Sequence, residues 1–331
     1  MESAETNSRV RSGLIFGLIA YLWWGAVPLY FVQLKDAGVP AGEILAQRIT
    51  WSLPVLLLLT ILTGGWNDLF RVLANRKLVL VLLASSLFLA ANWLLYIYAT
   101  VTGRVTEASL GYYMMPIVNA ALATSFLGER LRPLHYPALA LVAIGVAIPF
   151  LASGNFTWIA VLLPISFGLY GLVRKMVPVE SITGLTVESL LMLPPSIAFL
   201  IYLSATGTNH FGDDWGLNGL IAFSGIVTVV PLLTFTLSLR RLPLLAISFI
   251  QFLSPTVQML LAVYVLGEPE LSPDRIAAFA CIWIAVLIFI GDSVRCRLRF
   301  RDSVPVHVAM PQPSGKITPR SCESPSAALR P

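Results

Sequence analysis

Two stretches of this chain, Ser109–Glu129 and Ser248–Glu268, repeat one another 139 residues apart, and that repeat restricts the available folds more than any other feature. Each contains Ser-x2-(Tyr or Gln)-x3-Pro-x2-(Asn or Gln)-x3-Ala. The first set is Ser109, Tyr112, Pro116, Asn119 and Ala123; the second is Ser248, Gln251, Pro255, Gln258 and Ala262. Both stretches then close on Leu-Gly-Glu, at Glu129 and Glu268. Steps of three and four residues put each set on one helical face, and the intervening residues are apolar enough to lie in lipid. Polar-faced, proline-broken helices in corresponding positions of two halves point to the binding region of a transporter.

Composition agrees with a lipid environment. Hydrophobic residues make up 57% of the chain and charged residues 12%, against roughly 45–50% and about 25% in soluble domains. With about 20 apolar residues needed per span, ten runs qualify: Gly13–Gln33, Pro40–Leu62, Leu78–Val101, Ala108–Leu127, Pro133–Leu151, Phe156–Val173, Ile182–Leu203, Leu217–Leu239, Pro243–Leu266 and Pro273–Gly291. The expected fold is an all-α membrane protein of ten transmembrane helices. No small-residue cleavage site follows the first run, which therefore reads as a retained span after a short polar N-terminus, residues 1–12.

The repeat extends over whole halves, residues 13–152 and 153–292. At an offset of 140, Tyr30 falls on Tyr170, Lys35 on Lys175, Pro54 on Pro194 and Pro133 on Pro273. Five spans per half is an odd number, so the second half enters the membrane from the opposite side and the repeats are inverted. Lys and Arg set the orientation. One set of loops and ends carries Arg9, Arg11, Arg71, Arg76, Lys77, Arg130, Arg132, Arg174, Lys175, Arg240, Arg241 and the arginines from Arg295 onward, while the other carries Lys35, Arg104 and Arg275. Both termini are therefore expected to be cytoplasmic. Residues 293–331, basic and then rich in Pro and Ser, read as a disordered tail whose arginines suit an anionic leaflet.

Arg48 is the most informative single residue, because an arginine near mid-membrane costs about 2.5–3.5 kcal/mol on insertion scales and must face protein or water. Its counterpart at an offset of 140 is Glu188. Two readings follow: Arg48 contacts an anionic group of a solute, or it is a structural cation, pairing with Glu188 across the pseudo-twofold axis or held by helix-end carbonyls. Neutral hydrogen bonds to the solute are expected from Asn92, Tyr96, Tyr112, Asn119, Gln251 and Gln258, with helix packing the alternative for Asn92, and stacking from Trp93 and Tyr113. Pro116 and Pro255 are the expected hinges. Glu43, Glu107 and Glu188 are the carboxylates available for ion pairing or proton coupling. Glu43 sits near the outer interface, where solvation is the first expectation, and Glu107 could instead cap a helix start. Glu129 and Glu268 read as structural helix ends after glycine.

Other chemistries lack their residues. Ser314-Gly315-Lys316-Ile317-Thr318 has no upstream glycine and is not a phosphate loop. His135, His210 and His307 and the three cysteines have no metal-ligand or disulfide spacing. No serine or cysteine has a base partner in a recognisable motif. The expectation is no enzyme, no cofactor, no metal and no nucleic-acid partner; the basic charge reflects topology. The expected partners are a small-molecule solute and the lipid bilayer; the plain fifth and tenth spans read as interface or dimer helices, which leaves a homodimer open.

Glu43-Ile-Leu-Ala-Gln47-Arg48-x2-Trp51-Ser52, Asn92-Trp93-Leu94-Leu95-Tyr96-Ile97 and Glu107-Ala108-Ser109-Leu110-Gly111-Tyr112, in this order and within two halves whose fourth helix ends in Gly-Glu, resemble the RarD group of the EamA family, in the drug/metabolite transporter superfamily. The resemblance covers about Gly13 to Gly291 and implies a multi-pass carrier of the bacterial inner membrane with an inverted-repeat fold. It implies no particular substrate or residue roles.

Overall fold

A computed structural model describes residues 2–101, 108, 111–153, 158–212, 214–265 and 273–302. All regular elements among them are helical: α1 (Glu2–Asp36), α2 (Ala41–Leu62), α3 (Trp66–Ala74), α4 (Arg76–Val101), α5 (Met115–Phe126), α6 (His135–Ser153), α7 (Trp158–Met176), α8 (Ser181–Ala205), α9 (Trp215–Leu239), α10 (Leu244–Ile250), α11 (Leu253–Tyr264) and α12 (Pro273–Asp302). Six of these, α1, α2, α4, α7, α8 and α9, are long and apolar enough to cross a bilayer. Shorter apolar helices occupy the runs expected as the fourth, fifth, ninth and tenth spans.

The fourth and ninth runs are short because their prolines break them. Proline lacks an N–H, and its ring collides with the carbonyl four residues earlier; for Pro116 and Pro255 those carbonyls belong to Tyr112 and Gln251, the matching polar residues of the repeat. Residues 111–113 are helical, Met114 is a turn, and α5 starts at Met115. In the second half α10 ends at Ile250, Gln251 and Phe252 form the turn, and α11 starts at Leu253. The backbone at each break tightens to three-residue bonds, Met114 N to Gly111 O at 3.0 Å and Ser254 N to Gln251 O at 3.0 Å. Pro28, by contrast, lies within an uninterrupted α1.

Helix α3 falls in a segment with no apolar run. It is a nine-residue amphipathic helix that buries Leu69 and Val72 against Val177, Val179 and Val187 and leaves Trp66 and Phe70 exposed.

Packing across the molecule is nearly unchanged when the halves are exchanged. Helix α2 packs on α8 and α6 on α12, each a helix on its own counterpart. The contacts α1–α9, α2–α9 and α1–α11 are matched by α7–α4, α8–α4 and α7–α5. The fifth and tenth runs, expected as interface or dimer helices, pack on each other within the chain. Helices α2 and α9 meet closely because residue 225 is glycine: a Cβ there would strike the backbone carbonyl of Trp51. The largest core cluster contains the rings of Tyr21, Phe167, Tyr170 and Phe235, from α1, α7 and α9.

Candidate functional site

Helices α2, α4, α8 and α9, two from each half, line a small buried cavity. It measures about 10 Å³ as the space open to the centre of a water, about one water molecule. Ser52, Trp93, Glu188, Met192 and Thr228 are among its lining residues. Ser189 and apolar side chains complete the wall, so Glu188 is the ionisable group at its edge.

Arg48 lies on one flank, seven residues into α2 and so about 10 Å along its axis. It is 5% exposed. Its Nε donates to Thr228 Oγ1 at 2.9 Å, and its guanidinium carbon lies 4.6 Å from the Trp93 ring centre and 5.2 Å from that of Phe31. Trp93 and Thr228 therefore touch the cation and the cavity together. Further rings extend this wall: Tyr96 is 6.4 Å from Phe31 and 5.8 Å from Tyr112, centre to centre. The expected ion pair with Glu188 is not formed.

Glu188, on the opposite flank, pairs with Arg174 instead. Its Oε1 accepts from Ser85 Oγ at 2.7 Å and lies 3.7 Å from Arg174 Nε. Oε2 is buried without a hydrogen-bond partner, as are Arg174 Nη1, Tyr170 Oη and Ser181 Oγ. Arg174 Nη2 donates to the Ser181 carbonyl at 3.3 Å. The guanidinium lies where a side chain on residue 184 would begin, so only glycine leaves room for it. Arg174 was read from sequence as a loop cation; it is instead buried at the end of α7. The one sequence signal was Gly184, a helical turn before Glu188 on the same face.

The two ends of the molecule are each tied by a carboxylate. Glu43, expected to be solvated, is fully buried. Its Oε1 accepts from the His210 backbone N–H at 2.9 Å and its Oε2 lies 2.8 Å from His210 Nδ1. The loop after α8 folds over it, which no local pattern announces. At the other end Glu129 accepts from the backbone N–H groups of Leu244 at 2.9 Å and Leu245 at 3.4 Å, capping α10, and lies 3.7 Å from Lys175 Nζ. Lys175 also donates to the carbonyl of Leu242 at 2.6 Å. Arg9, Arg132, Arg174, Lys175 and Arg240 all lie at this end, where Arg9 donates to the Arg240 carbonyl at 3.0 Å.

The remaining candidates divide between these places and helix packing. Asn92 donates to the Leu163 carbonyl at 3.0 Å and to Ser166 at 3.2 Å, joining α4 to α7. Asn119 donates to Ser248 at 2.8 Å, so the two repeated stretches touch, while its Oδ1 is buried without a partner. Gln251 accepts from Tyr21 at 3.5 Å, and Gln258 donates to the Trp24 carbonyl at 3.2 Å. Tyr113 packs on Phe279 at 5.4 Å, in the cluster formed by α6 and α12 and away from Arg48. Glu107 and Glu268 lie outside the described residues. Among the described residues, no group of three or more His, Cys, Asp or Glu could hold a metal ion.

Known proteins resemble this chain over most of its length. Residues 11–151 match the model of the EamA-like transporter family. The chain is 40% identical over 286 residues to an uncharacterized transporter of Vibrio cholerae, covering 86% of this chain and 94% of that one. It is 37% identical over 292 residues to Protein RarD of Escherichia coli, covering 88% and 98%. A protein of known crystal structure superposes with a TM-score of 0.65 at 19% identity, over 86% of this chain and 98% of that chain, which is a likeness of fold.

Proposed function

Because the chain belongs to the EamA-like transporter family, we propose that it is a secondary carrier exporting a small amphipathic solute across a bacterial inner membrane by alternating access. In this reading the ten apolar helical segments are ten spans in two inverted repeats, residues 13–152 and 153–292. The pairwise symmetry of helix packing supports that division. The gathering of arginines and lysines at the end that carries residues 9, 132, 174 and 240 supports cytoplasmic termini.

The observation that carries the reading is the small buried cavity between α2, α4, α8 and α9, with a carboxylate tie at each end of the molecule. In a carrier, releasing one tie at a time would expose the centre alternately. Breaks at Met114 and at Gln251–Phe252 supply places for the fourth helix of each half to pivot. Glu188 is the proposed coupling group, since it borders the cavity with one oxygen unpartnered.

The test is flux in proteoliposomes of fixed orientation, with radiolabelled aromatic carboxylates and amides. A carrier saturates and shows counterflow; non-saturating flux without counterflow would make it a channel, and faster inward flux an importer or facilitator. Glu188→Gln is expected to keep counterflow at equal pH while losing accumulation driven by a pH gradient. Loss of both together would reduce Glu188 to a structural residue.

A further inference from the structure

Among the described residues five arginines and lysines are buried or half-buried: Arg174 has Glu188, Lys175 has Glu129, Arg132 has Asp292, and Arg241, nearer the surface, donates to the Leu237 carbonyl and lies over the Phe16 ring. Arg48, the fifth, has no carboxylate among the described residues. Its Nε–H is used by Thr228, and no protein acceptor among the described residues takes a hydrogen bond from its two terminal nitrogens. The contacts with Trp93 and Phe31 lie over the rings, and an aromatic ring attracts a cation through its face. Such contacts leave the in-plane N–H groups of a guanidinium unanswered. Those groups form a fork that matches the two oxygens of a carboxylate.

The geometry points to Arg48 as the binding site for an organic monoanion, a carboxylate carried on a flat apolar body. Each part of that description comes from a different neighbour. The fork edge selects a planar, two-oxygen acceptor. Among the described residues no second arginine or lysine stands beside it, which suits a single negative charge and not a phosphate dianion. The rings of Phe31, Trp93, Tyr96 and Tyr112 form the wall next to the cation, and a flat body would stack there with offset or edge-on rings. Thr228 holds the guanidinium at the cavity margin, so a bound carboxylate would lie between Arg48 and the space bordered by Glu188. The symmetry partner of Arg48 is thereby explained as well: Glu188 borders the same cavity with the opposite sign, and its pairing with Arg174 leaves Arg48 without a carboxylate among the described residues.

This inference rests on reading the core as a solute path, but its test is independent of flux. Thermal unfolding of the detergent-purified full chain would be followed with phenylacetate, benzoate and indole-3-acetate, and with the amide of each. The wild-type protein should be stabilised saturably by at least one carboxylate and not by its amide. Arg48→Gln should weaken that binding by about tenfold or more, the effect of a charge-assisted two-point contact, and Arg48→Lys should restore part of it. Should Arg48→Gln fail to fold, the acid-against-amide comparison in wild type still decides. No shift with any of the three acids, equal shifts with acid and amide, or an unchanged shift in Arg48→Gln would each overturn the assignment. Counterflow in proteoliposomes separates the two failures: counterflow without acid-specific binding removes the Arg48 site and keeps the carrier, and acid-specific binding without counterflow does the reverse.

Discussion

Arg48 and Glu188 stand at corresponding positions of the two halves, and the chain has solved the burial of each in a different way. Glu188 has a counter-ion, a serine hydroxyl and a glycine that makes room for the pairing arginine. Arg48 has a threonine hydroxyl and two ring faces. The difference teaches that a repeat fixes the place of a charge in the membrane and not its partner. Partnership depends on what the neighbouring helices carry, and the neighbours of α2 and α8 are not copies of one another in detail. The Arg174–Glu188 pair balances its charge while polar atoms of both remain unpartnered; Arg48, with a hydroxyl and rings, has its charge and its terminal donors still to offer.

The comparison can be broken most forcefully at Arg174. Removing one partner of a buried ion pair strands the other and costs about 3–5 kcal/mol. Arg174→Met should therefore give the largest loss of thermal stability in detergent, and Glu188→Met in the same chain should recover most of it, because an apolar pair of similar volume is close to neutral. Additive losses in the double variant would mean that the two residues do not act as a pair. Gly184→Ala should come next, at about 1–3 kcal/mol for a forced displacement in a packed site, with the guanidinium driven off its place. An unchanged melting temperature would show that Arg174 has another position available. Arg48→Met should cost least, no more than about 1 kcal/mol, the scale of an aromatic contact with a cation, since no carboxylate is stranded. A loss as large as that of Arg174→Met would reveal a counter-ion for Arg48 and erase the contrast.

Much of the scaffold was legible because it rests on local rules. Apolar run length gave the helices, and the two prolines gave the breaks, within a few residues of where the backbone turns. Helix α3 escaped because nine residues with one apolar face resemble a connecting loop when judged by spans. The site was legible in part: the depth of Arg48 marked it as a buried cation, and Glu188 as its counterpart. Of the readings open for Arg48, pairing with Glu188 fails because correspondence under an inverted repeat is not contact; Trp93 and Thr228 stand beside Arg48, and Arg174 stands beside Glu188. Glu43 was misjudged for a related reason. Residues near a membrane surface meet water only if no loop covers them, and the loop holding His210 covers this one.

Glu129 has a consequence for motion at its end of the molecule. It belongs to the first half, yet it is the acceptor for the first backbone amides of α10 in the second, with the ammonium of Lys175 beside it. If α10 swings away, its first two amides lose their acceptor in the same instant, and only water can replace it. Parting of the halves and flooding of the gap are therefore one step at this end. The seat of such a valve is wetted as it lifts, and it can close again only by drying.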